Sequence, residues 1–169
     1  MYVFGQITEA TRNAIAGIVD SSSKMSVERK GRARSSRPLP NSTDLEHALI
    51  PLLSDRGFAH HVRMTHPRTG DGFEYDFWRA DDQVAIEIMG YRADDEVYKN
   101  ILKFHVHAET RVGVVWVPRW KWISGQRTET NFRATMKALA FAQDYMDVEA
   151  LVALVYDWTS GSDEGRWGE

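Results

Sequence analysis

Residues 73–89 constrain the fold of this chain more than any other stretch. Phe73–Arg79 and Val84–Met89 each alternate in side-chain character, and Ala80-Asp81-Asp82-Gln83 lies between them. Period-two alternation on both sides of a short polar turn predicts an antiparallel hairpin. With Asp81-Asp82 as a two-residue turn, Phe77 faces Ile86 and Asp76 faces Glu87. Phe73, Tyr75 and Phe77 are then expected on one face with Val84, Ile86 and Ile88, which is the expected core face. Glu74, Asp76 and Trp78 go to the other face with Ala85, Glu87 and Met89. Directly opposed residues have Cβ atoms only about 5 Å apart, so Asp76 and Glu87 repel unless something neutralises them. A fully exposed face would leave both acids in water, but Ala85 and Met89 share this face and helices are expected to cover it. A hard divalent cation, magnesium above all, satisfies such a pair. Asp76 and Glu87 are the expected metal ligands, with the backbone carbonyl of Ile88 or Met89 beside them.

The remaining elements follow from periodicity. Ile7, Ala10, Ala14, Ile15 and Ile18 recur at helical spacing. Leu45, Ala48, Leu49, Leu52 and Leu53 form a second apolar helix face ending at Gly57, with Pro51 expected to bend it or delay its start. Thr43-Asp44-Leu45-Glu46 fits a capping box, with Thr43 as N-cap and Glu46 reaching back. Strands are expected at 58–64, 73–79, 84–89, 111–117 and 151–156, and further helices from Asp94 to about His107 and from Phe132 to about Tyr145. Three strands in meander, then crossover helices between further strands, give an α/β fold with a mixed five-stranded sheet flanked by helices.

At 169 residues with 43% hydrophobic content the chain suits a single domain, 1–169. The absence of cysteine excludes disulfides and thiolate metal sites and fits a cytoplasmic protein. No run approaches the roughly 18 apolar residues of a membrane span, and the N-terminus lacks a signal-peptide pattern, so no membrane partner is expected. A net charge of −3 taken alone argues against a nucleic-acid partner, but its distribution argues the other way. Lys24, Arg29, Lys30, Arg32, Arg34 and Arg37 stand against the single acid Glu28. Residues 21–40 read as a basic mobile arm or loop, either a solubilising linker or a phosphate-contacting arm. Acids concentrate around 71–96 and after Asp157, and residues 158–169 read as a flexible C-terminal tail. Acids beside a basic arm suit a metal site beside a polyanion.

Asp76, a hairpin and then Glu87-Ile88-Met89 before a helix resembles the PD-(D/E)XK nuclease superfamily over roughly Thr43 to Tyr156. A narrower resemblance, to BglII-type type II restriction endonucleases, rests on three segments. They are Val84-Ala85-Ile86-Glu87-Ile88-Met89-Gly90, Tyr98-Lys99-Asn100-Ile101-Leu102-Lys103-Phe104 and Val112-Gly113-Val114-Val115-Trp116-Val117-Pro118. The resemblance implies a restriction-endonuclease-like core, Asp76 and Glu87 as metal ligands, and magnesium (manganese as substitute) as cofactor. It also implies duplex DNA as partner and a homodimer. The superfamily usually has a lysine two residues beyond the glutamate, where this chain has Met89; BglII-type enzymes also lack it, but a polar residue is expected there. Lys99 or Lys103 on the next helix would supply the missing charge, or Glu74 an additional acid; otherwise the site is defective and the protein only binds. Superfamily members often bring a glutamate from the preceding helix, which makes Glu46 a third metal-ligand candidate against its capping-box role.

Candidate DNA contacts are Lys30, Arg32 and Arg34 of the arm, Arg92 just past the second hairpin strand, and Arg119, Lys121 and Arg127 in the segment 118–127. Arg92 would meet the scissile phosphate or merely cap the next helix. The 118–127 segment reads as a Gly-containing loop whose Arg, Trp and Lys grip phosphates and base edges. Trp120 and Trp122 would alternatively pack at a dimer interface or core rim, and exposed tryptophans over 116–122 would favour a homodimer. A histidine-metal centre is not expected, because adjacent His60 and His61 should point to opposite strand faces and His105 and His107 share no helix face. Phosphate-binding glycine loops and nucleophile elbows are absent from the sequence, which removes NTPase and serine-hydrolase readings. The expected activity is magnesium-dependent hydrolysis of duplex DNA. A non-catalytic DNA-binding module and an RNA nuclease are the alternatives.

Overall fold

The computed structural model describes residues 2–5, 8–23, 42–89, 94–107, 109–118, 120–123, 126–129, 132–145 and 148–156. Chain order is β1 (Tyr2–Gly5), α1 (Glu9–Ser23), α2 (Ser42–Ser54), β2 (Ala59–Thr65), β3 (Gly72–Arg79), β4 (Val84–Ile88) and α3 (Asp94–Val106). It continues with β5 (Val112–Pro118), β6 (Trp120–Ile123), β7 (Gln126–Glu129), α4 (Phe132–Gln143) and β8 (Ala150–Tyr156). The α/β class and the mixed sheet are as expected, but the sheet has six strands, in the order β1-β8-β5-β4-β3-β2, not five. The sixth is β1, an edge strand antiparallel to β8; its four residues are too short for a pattern to emerge. β4, β5 and β8 run parallel, while β2, β3 and β4 form the antiparallel meander.

Helices cover both sheet faces. Ala14, Ile15 and Ile18 of α1 and Leu45, Leu49 and Leu53 of α2 pack on Phe77, Val84, Ile86, Ile88, Val114 and Trp116. The opposite face takes Ile101 and Phe104 of α3 and Phe132, Ala138 and Leu139 of α4 against Ala85, Met89, Val115 and Leu151. Gly57, at φ 81°, ends α2: Phe58 N–H donates to Leu53 O and Gly57 N–H to Ser54 O, both at 3.0 Å. These paired bonds form a Schellman cap, with Phe58 and Leu53 buried together. The helix starts at Ser42 and passes through the exposed Pro51, so the proline does not delay its start. Thr43 therefore lies inside the helix instead of at its N-cap.

Three other expectations change. Trp116 is 1% exposed in the core, so it adds nothing to an exposed tryptophan surface. Trp120–Ile123 and Gln126–Glu129 pair as antiparallel strands instead of forming an open loop, with Lys121 opposite Thr128 and Arg127 opposite Trp122. Residues 21–23 close α1, whereas the rest of the 21–40 arm lies outside the described residues, as do Arg92, Arg119 and the 158–169 tail. No described helix is long and apolar enough to cross a membrane.

Candidate active site

The predicted hairpin register holds: Phe77 pairs with Ile86, Trp78 with Ala85 and Arg79 with Val84. Arg79 fixes the turn by donating to both carboxylate oxygens of Asp82, at 2.7 and 2.6 Å, and Gln83 takes φ 59°. The ladder stops short of an Asp81-Asp82 two-residue loop, leaving residues 80–83 as the turn.

The expected faces do not hold along the whole of β3. Phe77 packs with Val84, Ile86 and Ile88, but Tyr75 packs with Trp78, Ala85 and Met89 on the opposite face, with Phe73 against that same cluster. Alternation changes phase at Asp76. The β2–β3 ladder skips the His61–Asp76 position, and His61 has φ 52°, in the left-handed region. A residue in that conformation cannot keep the two-residue alternation of a strand. Asp76, freed from both ladders, turns its carboxylate to the backbone and accepts the Ile88 N–H at 2.6 Å.

Glu87 is 2% exposed. Its Oε2 accepts from the Lys103 ammonium at 2.8 Å, while its buried Oε1 has no hydrogen-bond partner among the described residues. Burial pushes Glu87 up to about 8, with the Asp76 charge adding to the rise and Lys103 opposing it. Asp76 is also raised by burial, against the pull of the Ile88 N–H, and the Glu46 carboxylate adds to the rise. Two carboxylates, one with an orphaned oxygen, form a donor set that suits a hard divalent ion.

Lys103 is placed from below by its own helix. Tyr75 Oη donates to Lys103 O at 3.0 Å and lies 2.9 Å from Thr110 Oγ1, and its phenol is held well above its ordinary pKa by burial. Gly113 lets α3 approach the sheet, since a Cβ there would sit 2.6 Å from Phe104 Cδ2. Lys99, one turn earlier, is exposed. Met89 is 3% exposed among apolar neighbours, and its N–H donates to Trp116 O at 2.8 Å. A lysine at position 89 would therefore point into the core.

Glu46 is turned away from a capping role. Its Oε1 lies 2.6 Å from His60 Nε2 and 2.5 Å from His61 Nε2, and the two imidazoles stack at 3.8 Å. The expectation that His60 and His61 point apart is overturned, because the left-handed turn at His61 brings both rings to one side. No sequence signal marked this, since neither glycine nor asparagine announces the turn. Among the described residues, Glu46, His60 and His61 are the group whose ligand atoms all lie within 4.8 Å; Glu46 does not form such a group with Asp76 and Glu87. Glu74 is exposed, 3.8 Å from His61 Nδ1. His107 sits among Phe73, Tyr75 and Trp78, its pKa lowered by burial, and His105 is exposed.

Fold and site together describe an α/β protein whose central hairpin presents a buried Glu87 and a partly buried Asp76 beside a lysine from the following helix. The chain belongs to the family described as "Putative halobacteria restriction endonuclease", whose model matches residues 18–156. That span contains every element from the end of α1 to β8, and so the whole candidate site. No curated protein and no solved structure matches the chain significantly.

Proposed function

We propose that this protein is a magnesium-dependent endonuclease of the PD-(D/E)XK type. In this reading it hydrolyses phosphodiester bonds of duplex DNA as a BglII-like type II restriction enzyme. The observation that carries the proposal is Glu87, a buried carboxylate with one oxygen on Lys103 and the other without a hydrogen-bond partner among the described residues, beside Asp76. Membership of a restriction endonuclease family supports a nuclease. Asp76 and Glu87 would hold the ion, with the Ile88 backbone adjacent and manganese as a substitute. Such an ion supplies an activated water and offsets negative charge on the reacting phosphate.

The chain's own residues do the rest. Asp76 is fixed by the Ile88 N–H, and Glu87 by Lys103, so both carboxylates are oriented before substrate arrives. Lys103 brings to the site the positive charge that Met89 cannot, entering from α3 rather than from β4. Its ammonium favours the ionised form of Glu87 against the burial that raises it, and would face the charge that accumulates on the phosphate. Lys30, Arg32, Arg34, Arg92, Arg119, Lys121 and Arg127 would neutralise the DNA backbone. One site cuts one strand, so symmetric duplex cleavage calls for a two-fold homodimer.

Supercoiled plasmid incubated with magnesium, and separately with EDTA, tests the proposal. Wild type should nick and linearise it with magnesium alone, and Glu87→Gln should not. Intact plasmid throughout, with DNA binding retained in calcium, would make the protein a binding module. Cleavage confined to structured RNA would change the substrate.

A further inference from the structure

Beside the Asp76–Glu87 pair lies a second group of metal-ligating side chains that the nuclease chemistry does not use. We propose that Glu46, His60 and His61 form a separate metal site that takes a transition-metal dication of the zinc class. Two imidazole nitrogens and one carboxylate oxygen would bind it, leaving a fourth position for water or a bound group.

The convergence is built by the backbone. Neighbouring residues of a regular strand point to opposite faces, and His60 and His61 would separate. The φ of 52° at His61, a left-handed conformation that non-glycine residues adopt only under strain, brings them together instead. The return on that strain is a stacked imidazole pair with both Nε2 atoms on Glu46 Oε1. Glu46 is held opposite them because Leu45 and Leu49 bury that side of α2.

Ligand chemistry selects the ion. Magnesium prefers an oxygen shell, whereas imidazole suits zinc, nickel and copper. Bonds of about 2.0–2.1 Å in a tetrahedron spread the donors to about 3.3 Å. The nitrogen–oxygen contacts of 2.5 and 2.6 Å therefore open by less than about 1 Å on loading, a small shift for side chains that are half-exposed or less. Each Nε2 must offer its lone pair to the ion, so in the loaded site each ring carries its proton on Nδ1. For His61 that Nδ1 lies 3.8 Å from Glu74 Oε1. At 3.8 Å the exposed Glu74 carboxylate is beyond hydrogen-bond distance and acts on His61 through its charge alone. The site uses neither Glu87 nor Lys103, although the charges of Glu46 and His61 reach Asp76.

The test uses the full chain stripped with EDTA and titrated with zinc against a chromogenic chelator. Cobalt(II) added in parallel reports coordination geometry through its visible d–d bands. Wild type should bind one zinc per chain. His60→Ala and Glu46→Gln should weaken binding at least tenfold and abolish the cobalt bands, and Glu87→Gln should change it less than threefold. Circular dichroism checks folding, with His60→Gln as the second variant if His60→Ala does not fold. Wild type without stoichiometric zinc would overturn the proposal. So would zinc binding unchanged in folded His60→Gln and Glu46→Gln, or lost equally in Glu87→Gln.

Discussion

Glu87→Gln should stabilise the metal-free protein, by an amount that grows from about pH 4.5 and is complete above about 8. Glu87 is 2% exposed and its carboxyl is raised from 4.5 to about 8. A raised folded-state pKa makes the group's contribution most favourable below about 4.5, where both states are protonated. That contribution is lost progressively as pH rises through about 8. At about 1.4 kcal/mol per pH unit, the full loss approaches roughly 5 kcal/mol. Glutamine keeps the shape and removes the charge, but Lys103, 26% exposed, loses its anionic partner. Allowing for that, the net gain above pH 8 should be about 2–3 kcal/mol, or roughly 5–10 °C in Tm for a chain of this size. At pH 4.5 the two proteins should melt together. Thermal melts of both proteins in EDTA at pH 4.5 and 8.5 make the measurement. Magnesium at pH 8.5 should then raise the Tm of wild type more than that of the variant. An equal Tm difference at both pH values, or a less stable variant at pH 8.5, would refute the reasoning that Glu87 is a strained buried anion.

Lys103→Met should lower the magnesium-dependent cleavage rate at least about 100-fold with little change in DNA affinity, measured by single-turnover kinetics and by binding in calcium. Met89→Leu should cost under about 1.5 kcal/mol in urea denaturation and retain most cleavage, whereas Met89→Lys places a charge in the core and should cost several kcal/mol. Gly113→Ala should cost about 1–3 kcal/mol because its Cβ meets the Phe104 ring. By displacing α3 it should also slow cleavage more than Met89→Leu does.

Alternation carried most of the fold. The strands of the central hairpin and β5 and β8 were legible because their apolar residues repeat strictly or run continuously, and the observed limits differ from the expected ones by a residue or two. The pairing of Phe77 with Ile86 followed from the turn position alone. What escaped has a common physical origin: backbone geometry that side-chain pattern does not encode. His61 adopts a left-handed conformation without glycine, opposite the point on β3 where Tyr75 and Phe73 change face, and joins His60 to His61. β1 is a four-residue edge strand held by β8, and β6–β7 pair through residues whose composition reads as a loop. Trp116 lies in a strand buried on both faces, where sequence adjacency to polar residues misleads. Lys103 was among the candidates, but helical spacing could not separate it from Lys99; only the packing of Phe104 against Gly113 and the Tyr75 hydrogen bond favours one.

The most direct test of the metal-dependent nuclease reading is a crystal structure with a DNA duplex and manganese, read by anomalous scattering. A manganese peak should lie about 2.1–2.2 Å from oxygens of both Asp76 and Glu87, with a phosphate oxygen in its shell and the Lys103 ammonium nearby. Density for DNA with no ion between the two carboxylates, and Glu87 bound only to Lys103, would contradict it.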